Sequence, residues 1–178
     1  VIDQTGASAM HPYNDMDVIE GNSTATMELL EDYPSLNAIF APIGGGGLIS
    51  GTCLAAKYFS NAKVYGAEPK GADDAYRSFQ KGKIIPMVNP KTIADGLRTS
   101  LGEIGFEIMK THLNSIFTVS ESEIISAMKW MWQKMKIIIE PSSAVPLAAL
   151  IKNHELFKDQ EVGIIISGGN VDLDNLPF

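Results

Sequence analysis

Residues 36–59, LNAIFAPIGGGGLISGTCLAAKYF, form the stretch that decides the fold. Residues 36–42 are a short, mostly apolar run typical of a buried strand, and residues 48–59 have the composition of a helix. Four consecutive glycines, residues 44–47, stand between the two. The stretch therefore predicts a strand that passes through a tight turn directly into a helix.

Strand-like and helix-like segments alternate along the rest of the chain. Helices are predicted over residues 22–32, 72–80, 103–112, 121–135 and from Pro141 onward, and further strands over 63–67, 116–119 and 161–166. Ser120 and Glu123 have the spacing of a capping box, and proline suits a first helical turn. Strands that alternate with helices through short loops predict an α/β fold, with a doubly wound, mostly parallel sheet and helices on both faces.

The composition predicts a soluble globular protein of one domain. Of the 178 residues, 45% are hydrophobic and 20% are charged, and the net charge is −7. This acidity argues against a nucleic-acid or anionic-membrane surface, and no apolar run approaches the roughly 20 residues of a membrane span. The single cysteine, Cys53, cannot form an internal disulfide, which leads us to expect a reduced, cytoplasmic compartment.

The glycine run is typical of a phosphate-binding turn. Glycine lets backbone amides approach an anion closely, and the helix N-terminus adds positive potential. The P-loop pattern fails because Thr52 follows Gly51 where lysine is required, and the dinucleotide pattern fails because Ile49 stands at its third glycine. From the residues alone, a closely packed turn that binds nothing remains the alternative.

A second unusual loop, residues 167–170 (SGGN), follows the last predicted strand. In doubly wound sheets, ligands bind beyond the carboxyl ends of the strands. Both the glycine run and this loop take that position, so we expect them to form one site.

Five motifs, in order, resemble those of the serine/threonine dehydratase and serine racemase family, the fold-type II enzymes that use pyridoxal 5′-phosphate (PLP). They are PIGGGGLISG, AEPKGADDAY, TIADGLRTSLG, IIEPSSAV and IISGGNVDL. The segment HPYNDMDVIEGNST is similar as well, with Asn22 and Ser23 where Gln-Gly is more usual. The resemblance extends over essentially the whole chain and implies most of the large domain of a tryptophan-synthase-β-like PLP enzyme.

The resemblance implies a PLP site in which the glycines cradle the phosphate and Ser167 hydrogen-bonds the pyridine nitrogen. A hydroxyl there leaves that nitrogen largely unprotonated, which suits elimination of a β-substituent. From the residues alone, Ser167, Gly96 and Glu140 are also compatible with plain turn or cap chemistry. The residues implied in cofactor binding are Gly44, Gly45, Gly46, Gly47, Leu48, Gly96, Glu140, Ser167 and Asn170.

The resemblance also implies a site for a divalent cation, Mg²⁺ or Ca²⁺, at Glu68, Asp74 and the carbonyl of Ala72. Carboxylates and a carbonyl, completed by water, are suitable ligands for either ion. Acidic residues before a helix also stabilise its N-terminus without any metal, so that alternative stays open.

No lysine of this chain matches the one that forms the Schiff base with PLP in the family, in a Ser-x-Lys-x-Arg-Gly type motif. The resemblance thus identifies residues 1–178 as the C-terminal part of the PLP-binding large domain, with the small domain and the lysine in an N-terminal half. We expect no catalytic residue in this chain and no activity from it alone. The expected partners are the N-terminal half, a small amino-acid substrate and a second copy in a homodimer.

For the whole protein, the resemblance implies dehydration and deamination of L-serine or L-threonine to a 2-oxo acid and ammonia, with serine racemisation as a further activity. The choice among serine, threonine and 3-hydroxyaspartate stays open. One alternative is a non-catalytic domain that binds a phosphate ligand or metal for regulation, and a second is a truncated or degenerate paralogue that binds nothing. Another is a different enzyme of the same fold, such as threonine synthase or cysteine synthase.

Overall fold

The computed structural model describes residues 2–178 and contains a four-stranded sheet. The strands are β1 (Ala38–Pro42), β2 (Lys63–Pro69), β3 (Ser115–Val119) and β4 (Val162–Ile164). Their order in the sheet is β3-β2-β1-β4, and all the pairings described are parallel. The predicted α/β class with a parallel sheet is confirmed.

Helices cover both faces of this sheet. They are α2 (Met16–Asp32), α3 (Gly47–Phe59), α4 (Asp74–Lys81), α5 (Glu103–His112), α6 (Glu121–Met135) and α7 (Pro141–Lys152). A further short helix, α1 (Ile2–Thr5), has no buried residue. Ile39 packs into a core formed with α2, α3 and α5, whereas Phe40 packs into a second core with α6 and α7. Successive strand residues point to opposite faces, so β1 is buried on both sides, which explains its apolar run without alternation.

Most predicted elements form, and the largest error is at the start of α2. The helix begins at Met16, six residues before the predicted start at 22, because the Asp15 side chain caps it by accepting from the Asp17 amide at 3.0 Å. Asn22 and Ser23, the polar residues at the predicted start, lie inside the helix, where the Ser23 hydroxyl donates to the Glu20 carbonyl at 2.6 Å. The last strand is shorter than predicted, ending at Ile164. The capping box at the start of α6 is confirmed.

The path of the chain brings the two unusual loops together. From β1 the chain winds outward through β2 to β3, whereas β4 returns to the other side of β1. The sheet order therefore reverses between β1 and β4, and a crevice opens at such a switch point. Residues 44–47 and 167–170 follow these two strands at the same edge.

As to membranes, none of the helices within residues 2–178 combines the length and apolarity that a bilayer span requires.

The packing of α3 leads to a prediction about Cys53, which is only 1% exposed. Burial raises the pKa of its thiol to about 12. Because the thiolate is the reactive form, we expect the folded protein to react with the disulfide reagent DTNB at pH 8 at least about 100-fold more slowly than a free thiol. Release of thionitrobenzoate measures the rate, and addition of denaturant should make the reaction fast. A fast reaction of the folded protein would contradict the buried position.

Candidate functional site

A cleft of about 290 Å³ lies at the carboxyl ends of β1 and β4. The predicted cofactor residues, with the exception of Asn170, all line it. The full lining is Pro12, Tyr13, Asn22, Pro42, Gly44, Gly45, Gly46, Gly47, Leu48, Gly96, Leu97, Thr99, Glu140, Ser142 and Ser167. Segments far apart in sequence thus converge on one space, as expected for the switch point.

The glycine turn leaves the start of α3 open to a ligand. Gly46 is the N-cap residue with φ 95°, a left-handed conformation that favours glycine. No side chain within the described residues caps this helix end. The first amides of α3, including those of Gly47 and Leu48, have no partner within the helix. Backbone donors and the positive end of the helix dipole are therefore available to an anion at the cleft.

The turn is also held tightly from both sides. A Cβ atom added to Gly44 would lie 2.9 Å from the Gly96 carbonyl oxygen and 3.1 Å from Thr99 Oγ1. A Cβ atom added to Gly45 would lie 2.2 Å from the ring of Tyr13. The distances of 2.9 Å and 2.2 Å are too short for a side chain, so Gly44 and Gly45 are needed for steric reasons and Gly46 for its conformation.

Several lining residues had no site role predicted from the sequence. Tyr13 lies against the glycine turn, and the Asn22 side chain lies 3.2 Å from the position of a Cβ atom on Gly47. Thr99 and Ser142 also line the cleft, and the hydroxyl oxygen of each is buried without a hydrogen-bond partner among residues 2–178. All of them lie inside the motifs that carry the family resemblance, but a motif does not tell which of its residues face the ligand.

The two unpartnered hydroxyls indicate that the cleft is built for a polar ligand. Ser142 is only 2% exposed, and a buried hydroxyl without a partner costs about 1–3 kcal/mol. Free amides suit a phosphate, hydroxyls suit the polar substituents of a small ring, and the apolar side chains of Leu48 and Leu97 suit its faces. The residues present therefore fit PLP.

Glu140 holds the loop of residues 167–170 in place. Its backbone N–H donates to the Gly168 carbonyl at 3.2 Å, and its carboxylate accepts from the Asn170 amide at 3.0 Å. A Cβ atom on Gly168 would lie 2.9 Å from the same carboxylate. Asn170 itself is exposed and outside the cleft lining. Its connection to the site runs through this backbone contact.

The predicted metal residues form a buried acidic pair beside α4. The Glu68 carboxylate accepts from the amides of Ala75 at 3.2 Å and Tyr76 at 2.7 Å, and Asp74 accepts from the Leu101 amide at 2.9 Å. Burial raises the pKa of Asp74, and burial together with the nearby Asp74 charge raises the pKa of Glu68 well above its usual range. The sequence-based alternative, a helix N-terminus stabilised by acidic residues, thus describes part of the arrangement.

Hydrogen bonds satisfy only one of the two carboxylate oxygens of Asp74. Asp74 Oδ1 is buried with no hydrogen-bond partner in the described part of the chain. Ala72 is buried in the turn before α4. Across residues 2–178, no three or more His, Cys, Asp or Glu side chains are grouped to hold a metal ion. The predicted site has two carboxylates only, so it depends on the Ala72 carbonyl and water.

Comparison with known proteins places this geometry in a family. The family described as "Pyridoxal-phosphate dependent enzyme" matches residues 1–168. A β-hydroxyaspartate dehydratase from Paracoccus denitrificans is 51% identical over 98% of this chain. A serine racemase from Dictyostelium discoideum is 50% identical over 99% of it. The crystal structure of that racemase superposes on 97% of this chain with a TM-score of 0.91.

The crystal structure of a threonine deaminase from T.th. is also similar, with a TM-score of 0.91 and 40% identity over 96% of this chain. In each comparison the match covers only part of the other protein. The chain spans 56% of the length of the dehydratase and of the racemase, and 65% of the deaminase chain.

Proposed function

The chain belongs to the pyridoxal-phosphate-dependent enzyme family, and on this premise we propose that it provides the PLP cleft of an enzyme that dehydrates and deaminates a small β-hydroxy amino acid to a 2-oxo acid and ammonia. The proposed substrates are L-serine, L-threonine or 3-hydroxyaspartate, with serine racemisation as a second activity. The observation that carries the proposal is the meeting of the open start of α3 and the Ser167 hydroxyl in one cleft.

Each group of residues that lines the cleft has a proposed role in binding PLP. The amides at the start of α3 bind the phosphate, and the Ser167 hydroxyl donates a hydrogen bond to the ring nitrogen. The side chains of Leu48 and Leu97 exclude water from the ring. When bound, PLP supplies an electron-withdrawing ring that weakens bonds at the α-carbon of an amino acid. A neutral donor such as Ser167 leaves the ring nitrogen unprotonated, which favours loss of the β-hydroxyl.

The lysine that attaches the cofactor is proposed to come from a segment outside these 178 residues, together with the small domain. Two observations support this part of the proposal. No lysine is among the lining residues in the described chain. In addition, β4 pairs only with β1 in residues 2–178, and Ile137, Ile138 and Ile166 are exposed. A free strand edge with apolar surface is suited to pair with further protein.

Borohydride trapping tests the proposed function. The natural polypeptide that contains these residues is incubated with PLP, reduced and digested, and mass spectrometry locates the adduct. We expect one modified lysine in the segment that packs against β4, and formation of a 2-oxo acid from at least one of the three substrates. Stable PLP binding with neither a lysine adduct nor turnover would instead favour the non-catalytic binding domain.

The cation site leads to a prediction that does not depend on PLP. Two buried carboxylates repel each other, and a divalent cation between them removes that repulsion. We expect saturating Mg²⁺ or Ca²⁺ to raise the midpoint of thermal unfolding by about 5 °C relative to EDTA. Differential scanning calorimetry of the natural polypeptide measures this shift for the unsubstituted protein and for Asp74→Asn.

Asp73→Asn is the matched control for Asp74→Asn. Asp73 is the neighbouring acidic residue, half-buried, and its carboxylate pairs with Arg77 at 2.8 Å. The cation response should disappear in Asp74→Asn and persist in Asp73→Asn. Equal responses in the two variants would show that the cation acts elsewhere, and no response in the unsubstituted protein would exclude the site.

A further inference from the structure

Ser143 is a buried serine whose hydroxyl lies 3.1 Å from that of Ser167. We propose that Ser143 is a positioning residue that makes Ser167 an effective hydrogen-bond donor to the ring nitrogen of bound PLP. The inference rests on the proposed function, because it needs PLP in the cleft with its ring nitrogen at Ser167. Ser143 does not line the cleft, so it acts only through Ser167.

The contacts of the Ser143 hydroxyl determine where hydrogens can go. Its oxygen accepts from the Gly168 N–H at 2.8 Å, and it donates to the Gly168 carbonyl at 2.7 Å. A serine hydroxyl has a single hydrogen. While that hydrogen is directed at the Gly168 carbonyl oxygen, a hydrogen bond between the two serines requires Ser167 to donate to Ser143. Ser167 then presents only lone pairs to the cleft.

A second arrangement of the hydrogens is available because the Gly168 carbonyl oxygen accepts a hydrogen bond from a second donor. The Glu140 N–H also donates to that carbonyl, at 3.2 Å. Ser143 can therefore turn its hydrogen to Ser167 without leaving the carbonyl unpaired. In this arrangement the hydrogen of Ser167 is free to point into the cleft.

An unprotonated ring nitrogen selects the second arrangement, because such a nitrogen is an acceptor. Ser143 then donates to Ser167, and Ser167 donates to the nitrogen, so the two hydrogen bonds polarise each other in the same direction. Without the Ser143 hydroxyl, Ser167 loses the donor that orients it and strengthens it. The expected loss of one such hydrogen bond corresponds to about a fivefold weaker affinity for PLP.

The test uses the natural polypeptide with PLP labelled with ¹⁵N in the ring. In Ser143→Ala, we expect about a fivefold higher Kd for PLP, and a ¹⁵N resonance at higher chemical shift than in the unsubstituted protein. That is the direction in which a neutral pyridine nitrogen moves when it loses a hydrogen bond. Ser143→Cys, which keeps a side chain of similar shape but is a weak donor, should move both quantities in the same direction and replaces the alanine variant if that one does not fold.

Thr26→Val is the matched control, because it also removes one buried hydroxyl from a hydrogen-bonded pair of hydroxyls. Thr26 donates to Thr52 at 3.2 Å, between α2 and α3 and outside the cleft lining. It should lower stability without moving the resonance. If Ser143→Ala lowers stability but leaves the ¹⁵N resonance and the Kd for PLP unchanged, Ser143 only stabilises the loop of residues 167–170 and the inference is wrong. If the unsubstituted protein shows no resonance of bound PLP, the proposed function fails and the inference fails with it.

Discussion

Gly44→Ala is expected to weaken PLP binding about 100-fold, which corresponds to about 3 kcal/mol. The added methyl group would lie 2.9 Å from the Gly96 carbonyl oxygen, and both residues line the cleft. Because that neighbour is backbone, it cannot rotate away. The turn must therefore shift, and the N–H groups at the start of α3 no longer point at the phosphate. Equilibrium dialysis against PLP gives the Kd.

Gly21→Ala is the control for this substitution. Gly21 lies on the exposed face of α2, and a Cβ atom there would meet nothing within 4 Å. Its Kd should equal that of the unsubstituted protein. A Kd of Gly44→Ala within threefold of the unsubstituted value would show that the phosphate does not depend on this turn.

Gly51→Ala is expected to destabilise the protein by about 3 kcal/mol through the packing of α2 on α3. A Cβ atom on Gly51 would lie 2.6 Å from the Ile19 carbonyl oxygen and 2.7 Å from the Ser23 nitrogen. The two helices therefore cross in close backbone contact, and the methyl group must push them apart. Urea unfolding measures the loss.

The same substitution at Gly21 should have the opposite sign. Alanine is a better helix former than glycine, so Gly21→Ala should stabilise the protein by roughly 0.5–1 kcal/mol. Two glycine-to-alanine changes in adjoining helices thus separate helix propensity from helix packing. A stability loss below about 1 kcal/mol for Gly51→Ala would mean that α2 can move away from α3 at little cost.

Local patterns predicted the fold well wherever the cause was itself local. Ser120 and Glu123 form the capping box because both of its hydrogen bonds lie within one helical turn. The start of α2 was misplaced because Asn22, like Asp15, is a good cap by composition. The choice between them depends on how much of the helix is buried against α3, a tertiary contact that no local pattern contains.

The candidate site was predictable as far as its strand ends. The glycine turn and Ser167 each follow a strand, so parallel pairing alone brings them to one edge. The roles of Tyr13 and Ser143 could not be predicted in this way. Tyr13 depends on where a loop folds back onto the glycine turn, and Ser143 depends on which face of α7 meets residues 167–168.

Chemical-shift mapping with PLP shows directly whether the cleft at the ends of β1 and β4 binds the cofactor. The natural polypeptide is labelled with ¹⁵N-glycine. The 16 glycines of this chain then report on the glycine turn and on the rest of the chain. We predict saturable shifts at the glycines of the cleft and its loops, with no shift at Gly21 or Gly82. Those expected to shift are Gly44, Gly45, Gly46, Gly47, Gly96 and Gly168. Shifts confined to glycines outside the cleft, or equal effects from pyridoxal without its phosphate, would contradict binding of PLP through its phosphate in this cleft.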